Sequence, residues 1–168
     1  TVISDEARAR WNELDQGREQ NSQFSDLLTF WSPTVNMARD PRWGRTPETY
    51  GEDPYLSGIM GTAFVKGLQG NDSRYLKIVS TPKHFAANNN EAKRSSGTSV
   101  MTEFNMRNYY TKAFQNITES SNPGSVMSSY NATTVSRNGE YIYNFIPSLS
   151  NSYLLKDLLR RSWGFKGY

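Results

Sequence analysis

Leu27-Leu28-Thr29-Phe30-Trp31-Ser32-Pro33 decides how the rest of the sequence is read. A short, nearly continuous apolar run halted by Ser-Pro is the signature of a strand buried on both faces. The stretch from Asp40 to Pro54 follows, with prolines and glycines that forbid regular structure. Asp53-Pro54 then opens a helix, an acidic N-cap with proline at the first helical position. Leu56, Ile59, Met60, Ala63, Phe64, Gly67 and Leu68 recur at helical spacing, and Gly70 suits the stop. The unit is a strand, an irregular loop and a helix.

The unit repeats down the chain. Tyr75–Ser80 reads as a second strand ending at Pro82-Lys83-His84-Phe85. A polar loop from Asn88 to Gly97 leads to a helix capped near Thr102, with Tyr109, Tyr110, Ala113, Phe114 and Ile117 as its apolar face. Pro123-Gly124 turns into a third strand, Ser125–Ser129, followed by Tyr130-Asn131 and another polar loop. Ser148 to Ser162 forms the last helix, burying Leu149, Leu154, Leu155, Leu158 and Leu159, and Phe165–Tyr168 leads into a further strand. Upstream, residues 1 to about 20 look helical and polar, with Ala7, Ala9, Trp11 and Leu14 as the apolar stripe. Strands separated by helices pair in parallel, hence an α/β architecture. The 168 residues fall short of a closed (β/α)8 barrel, which takes roughly 250. The expected fold is a partial barrel of TIM type, with about three parallel strands and crossover helices. Two sheet edges stay uncovered in such a piece, so the isolated chain is expected to aggregate or to need the rest of a longer parent.

Composition narrows the function classes. Cysteine is absent and there is a single histidine, so a disulfide scaffold, a zinc finger, a thiol nucleophile and a His-rich metal site are all excluded. Neither metal nor organic cofactor is expected. No apolar run approaches the ~20 residues that span a bilayer. A net charge of +3, spread along the chain, gives no support to nucleic-acid binding. No phosphate-binding glycine loop and no nucleophile elbow occurs.

In parallel α/β units the loops after the strands gather on one face, where ligands bind. After the first strand stand Arg39, Asp40, Arg42, Trp43, Arg45, Glu48 and Glu52. After the second stand Lys83, His84 and Asn88 to Asn90, and at the third Met127, Tyr130 and Asn131. Fixed donors and acceptors beside flat apolar surface suit a sugar. Taken singly, the arginines and carboxylates equally suit an ion-pair net pinning the loop. A surface lysine beside a hydrogen-bonded core histidine is the commoner reading of Lys83 and His84 alone, and Met127 and Tyr130 on a buried strand are more often core than ligand contacts. What shifts the balance is that three consecutive strands put their polar clusters at the same end.

Phe30-Trp31-Ser32-Pro33-Thr34-Val35-Asn36, then Arg39 to Arg45 and Glu48 to Tyr55, resemble glycoside hydrolase family 3, the exo-acting β-glucosidases and β-xylosidases. Lys83-His84-Phe85, Val126 to Asn131, Leu154 to Arg160 and Trp163 to Tyr168 continue the resemblance in order and spacing. It implies that residues 1–168 are an incomplete N-terminal (β/α)8 glycosidase domain, cut before the strand that bears the nucleophile. Arg45, Lys83, His84, Met127 and Tyr130 would bind the sugar in the −1 site, and Glu48 would orient Arg45 or Lys83 from behind. The nucleophile, an Asp in a G-F-x-G-x-V-x-S-D string, is expected shortly after Tyr168, and the acid/base Glu on a later domain. The chain would thus be part of a retaining exo-β-glycosidase, inactive alone, acting on terminal β-D-xylosyl or β-D-glucosyl residues of an oligosaccharide or glycoside. The alternative is a non-catalytic carbohydrate-binding homologue. The F-W-S-P form leans towards the xylosidase branch. Asn90 to Ser95 stands where that branch often carries a His/Arg-rich run, which leaves the choice of sugar open.

Overall fold

The computed structural model describes residues 1–15 and 28–168. Its centre is a set of extended segments lying parallel, side by side. β1 (Thr29–Phe30) pairs with β2 (Val79–Ser80) in register Thr29↔Val79. Beyond that ladder the pairing continues as single bridges, Thr34↔Lys83 and Phe85↔Ser128. Tyr168 joins the far side: its N–H donates to Gly124 O at 3.2 Å and its carbonyl accepts from Val126 N–H at 3.0 Å. This alternation of bonds is the parallel pattern.

Helices connect these segments. α1 (Val2–Asp15) precedes the first, and α2 (Pro54–Gln69) links the first to the second. The next crossover is α3 (Glu103–Asn105), a π-helical turn Met106–Tyr110, and α4 (Lys112–Ser121). A π-wound helix, Tyr153–Ser162, precedes the last segment. Two expected caps are present: Asp53 Oδ1 accepts from Leu56 N–H at 2.6 Å and Thr102 Oγ1 from Asn105 N–H at 3.2 Å. The core lies between helices and array. Phe85 is fully buried there, edge-to-face with Phe114 (centroids 5.1 Å apart) and Trp163 (5.8 Å).

Several sequence expectations are corrected. The first strand is half-buried rather than buried on both faces, with Trp31 56% exposed, because among the described residues it has a neighbour on one side only. Its expected start, Leu27, and the expected helix beyond residue 15 lie outside the described residues, as does the side chain of Leu14. The second strand is shorter than expected, because the Asp72 carboxylate accepts from the N–H of Arg74 and Tyr75 and makes a turn there. Arg8 then takes the carbonyls of Leu76 and Lys77. Ala9 in α1 is exposed, whereas Ser4 and Ala7 are buried. The last helix starts at Tyr153, leaving Leu149 in a 3-10 turn and 74% exposed.

The polar loop after Asn131, together with the short stretch between Gly97 and the cap at Thr102, carries a second sheet. β3 (Thr98–Thr102) pairs in parallel with β4 (Ala132–Arg137), which pairs antiparallel with β5 (Glu140–Pro147). The β4–β5 turn is Asn138-Gly139 with φ of 53° and 85°, the positive-φ pair that a tight hairpin requires. Glu103 ties this sheet to the last helix. Its carboxylate accepts from Arg137 (2.8 Å), Arg107 (2.9 Å) and the Tyr153 hydroxyl. Chiefly through Arg137, those bonds hold its pKa at about 2.

α2 turns a different face inward from the one its apolar spacing suggests. Ser57, Gly58, Gly61, Val65 and Leu68 are buried, while Leu56, Ile59 and Met60 are exposed. The small residues let α4 approach closely: a Cβ on Gly58 would stand 2.8 Å from Asn116 Cβ, and one on Gly61 2.5 Å from Ile117 Cδ1. Gly58→Leu is therefore expected to cost at least about 2 kcal/mol in urea denaturation despite leucine's better helix propensity. Ile59→Ser should cost no more than about 1 kcal/mol. Equal costs would contradict this packing.

Candidate functional site

The site is built where the parallel segments give way to loops. Lys83, His84 and Phe85 occupy the middle segment, bonded on both sides. Lys83 N–H donates to Pro33 O and Val35 N–H to Lys83 O, each at 2.9 Å. Phe85 N–H donates to Met127 O at 2.8 Å. Phe85 points into the core, and the peptides that flank the His84-Phe85 pair, Lys83–His84 and Phe85–Ala86, are cis.

His84 is buried and held by one neighbour, Asn36. Asn36 Oδ1 accepts from His84 N–H at 2.9 Å and lies 3.0 Å from ring Nδ1, while Asn36 Nδ2 donates to His84 O at 2.9 Å. On the other side of the ring, Arg45 Nη1 lies 3.2 Å from Nε2. Burial first, then the nearby cations Arg45 and Lys83, push the His84 pKa down to about 4. Lys83 is half-buried, and burial together with Arg45 lowers its pKa, opposed by Glu48.

Arg45 stands at the head of a 3-10 turn, Thr46–Glu48. Glu48 grips it in a two-pronged ion pair, 2.8 Å at Nε and 2.7 Å at Nη2, leaving Nη1 for His84. That grip lowers the Glu48 pKa and raises that of Arg45. Glu91 adds a looser contact, 4.0 Å from Arg45 Nη1. It also accepts from the indole N–H of the buried Trp43 at 3.2 Å and pairs with Arg94 at 3.3 Å. The Arg94 guanidinium in turn lies 5.6 Å from the Tyr130 ring centroid.

The predicted residues are therefore brought together unequally. Arg45, Glu48, Lys83 and His84 form one electrostatic cluster, with Glu48 behind Arg45. Met127 is half-buried on the adjoining segment, and Tyr130, 58% exposed, reaches the cluster through Arg94 and Glu91. The rest of the first loop diverges. Asp40 and Arg42 form their own exposed pair, and Arg39 donates to the Tyr110 hydroxyl at 2.6 Å. Sequence reasoning missed Asn36, Glu91 and Arg94 as members of the cluster. Asn36 had one signal, a polar residue placed directly between the apolar Val35 and Met37, where a core residue would be expected. Among the described residues no group of three or more His, Cys, Asp or Glu could hold a metal ion, and no helix is long and apolar enough to cross a membrane.

Residues 16–168 match the sequence profile of the glycosyl hydrolase family 3 N-terminal domain. The chain belongs to that family. It is 34% identical over 98% of its length to a xylan 1,4-β-xylosidase of Xylanibacter ruminicola, covering 18% of that protein. Over 81% of its length it is 39% identical to β-glucosidase B of Emericella nidulans, covering 14% of it. Among solved structures, a family 3 exo-β-xylosidase in complex with a xylobiose aziridine probe superposes with a TM-score of 0.75 at 31% identity, over 98% of this chain and 20% of that one. β-Glucosidase 3B of Thermotoga neapolitana in complex with glucose gives 0.71 at 32% identity, over 99% and 20%. The chain thus spans about a fifth of the length of its relatives. Its α/β fold, with a parallel array and crossover helices, is that of the family's TIM-barrel-like N-terminal domain.

The buried histidine has a thermodynamic consequence. Its folded pKa of about 4 lies below its ordinary 6.5, so the unfolded chain takes up a proton at higher pH than the folded one. The stability from neutral His84 is complete above pH 6.5 and is lost as pH falls through about 4. The urea midpoint of the wild type is expected to fall faster between pH 6.5 and 5 than that of His84→Gln. Parallel curves would contradict a depressed His84.

Proposed function

We infer that this chain supplies the sugar-holding wall of an exo-acting β-glycosidase that removes terminal β-D-xylosyl or β-D-glucosyl residues with retention. The observation that carries the reading is the Arg45–His84 contact beside Lys83. Three polar side chains from two adjacent segments meet at the loop end of a parallel array, where such folds bind ligands. Two charged donors and a neutral imidazole suit the hydroxyls of one monosaccharide. Charge-assisted bonds to those hydroxyls strengthen as the ring flattens towards an oxocarbenium ion, which favours the transition state over the ground state. Met127 and Tyr130 would add apolar and aromatic surface to the same pocket, and Glu48 would keep Arg45 aimed.

Retaining hydrolysis needs two carboxyl groups about 5–5.5 Å apart, one as nucleophile and one as acid/base. Glu48 and Glu91 are poor candidates, because both are spent on arginines and the Glu48 pKa is lowered. On this reading the catalytic pair lies elsewhere in the whole protein, and these residues bind the sugar.

In the full-length protein, Arg45→Ala is expected to lower kcat/KM on aryl β-xyloside and aryl β-glucoside by about ten- to a hundredfold, the loss of one or two charge-assisted bonds. Arg42→Ala, which breaks only an exposed pair, should change it by less than about twofold. Binding of xylose or glucose without turnover would favour the non-catalytic homologue. Arg45→Ala with unchanged kinetics and sugar affinity would overturn the reading.

A further inference from the structure

His84 has two ring nitrogens, and the groups around it decide which one carries the proton. A backbone N–H can only donate, so the Asn36 atom facing His84 N–H at 2.9 Å is the amide oxygen. The His84 carbonyl can only accept, so the atom facing it at 2.9 Å is the amide NH2. The same oxygen stands 3.0 Å from Nδ1, which must therefore carry a hydrogen. From the opposite side Arg45 Nη1, a donor without a lone pair, faces Nε2 at 3.2 Å, so Nε2 must accept. The two constraints are independent and agree.

We propose that Asn36 is the positioning residue that locks His84 as the neutral Nδ1–H tautomer, so that Nε2 receives a hydrogen bond from a sugar hydroxyl while Arg45 and Lys83 donate. The sugar part rests on the function proposed above; the tautomer part stands on the apo geometry alone. Glu48 occupies Nε and Nη2 of Arg45, so Nη1 is the corner that meets Nε2. A neutral imidazole nitrogen has one lone pair. A hydroxyl entering the site replaces Arg45 at Nε2 by donating its proton there, and its oxygen then accepts from the freed Nη1. Such an arrangement selects a group that both donates and accepts. A fluorine at that position can only accept, and it leaves Nε2 unpaired.

The charges facing the ring fit a neutral acceptor. Arg45 and Lys83 disfavour an imidazolium; Glu48 and Glu91 favour one, but both are already paired with arginine. Burial outweighs them and holds the pKa at about 4. The side chain brought up by the first segment is the uncharged amide of Asn36.

The test is 15N NMR of histidine-labelled full-length protein, with the His84 signals assigned by their loss in His84→Gln. The wild type is expected to show a protonated Nδ1 and an unprotonated Nε2 at neutral pH, titrating near 4. Asn36→Asp keeps both acceptor contacts of Oδ1, gives up the bond to the His84 carbonyl and adds a negative charge, so it should retain the tautomer and raise the titration by at least about one unit. Asn36→Ala, with unchanged circular dichroism, should lose the tautomer preference; should it fail to fold, Asn36→Asp decides. Added xylose or glucose should move the Nε2 resonance without changing the tautomer. An Nε2–H ring in the wild type, or a titration that Asn36→Asp leaves in place, overturns the lock. Intact ring signatures with no response to either sugar leave the lock standing and overturn the sugar acceptor, together with the functional reading behind it.

Discussion

Lys83, His84 and Phe85 are paired on both sides within three residues, by Thr34↔Lys83 on one flank and Phe85↔Ser128 on the other. Everything else about the site depends on that double bracing. It sets Phe85 into the core against Phe114 and Trp163, and the core in turn keeps the segment from sliding. With the register held, Lys83 and His84 have no freedom to leave the loop end of the array. Packing therefore carries the position of these two polar groups. A change in the core that let Phe85 shift would disturb the site before it unfolded the chain.

Charge at the site is arranged by competition. Arg45, Lys83 and Arg94 bring three cations close to two carboxylates, Glu48 and Glu91, with His84 uncharged between them. Each carboxylate is held by arginine, so neither is free to move protons. The cluster is a rigid hydrogen-bonding frame, with Nη1 of Arg45 as the donor left over once Glu48 has taken its share. Donors preorganised in a partly dry setting cost little reorganisation when a ligand arrives.

The frame of the fold was legible in the sequence because its signals are local. Asp53-Pro54 caps α2 and Thr102 caps α3 as their residue types require. The second sheet was missed although Asn138-Gly139, between alternating residues, is a strong hairpin signal. The serines and threonines around it made the region look like a loop. The inward face of α2 could not be read at all: apolar spacing marks where a helix could be buried. Only the arrival of α4 against Gly58 and Gly61 shows where it is. For the site, Arg45, Lys83 and His84 were recognisable by type and by motif. Asn36 offered only the hint of its apolar neighbours, and Glu91 and Arg94 offered none, because their links to Arg45, Trp43 and Tyr130 span long stretches of sequence. Asn36 meets His84 across 48 positions.

On the function proposed above, Arg45, Lys83 and His84 together hold one monosaccharide. A crystal structure of the full-length protein with xylose or glucose bound tests it most directly. Sugar hydroxyls are expected within about 3.2 Å of Arg45 Nη1, Lys83 Nζ and His84 Nε2, with the Arg45–His84 contact opened to admit them. A sugar seated elsewhere, with Arg45 still closed on His84, would contradict it.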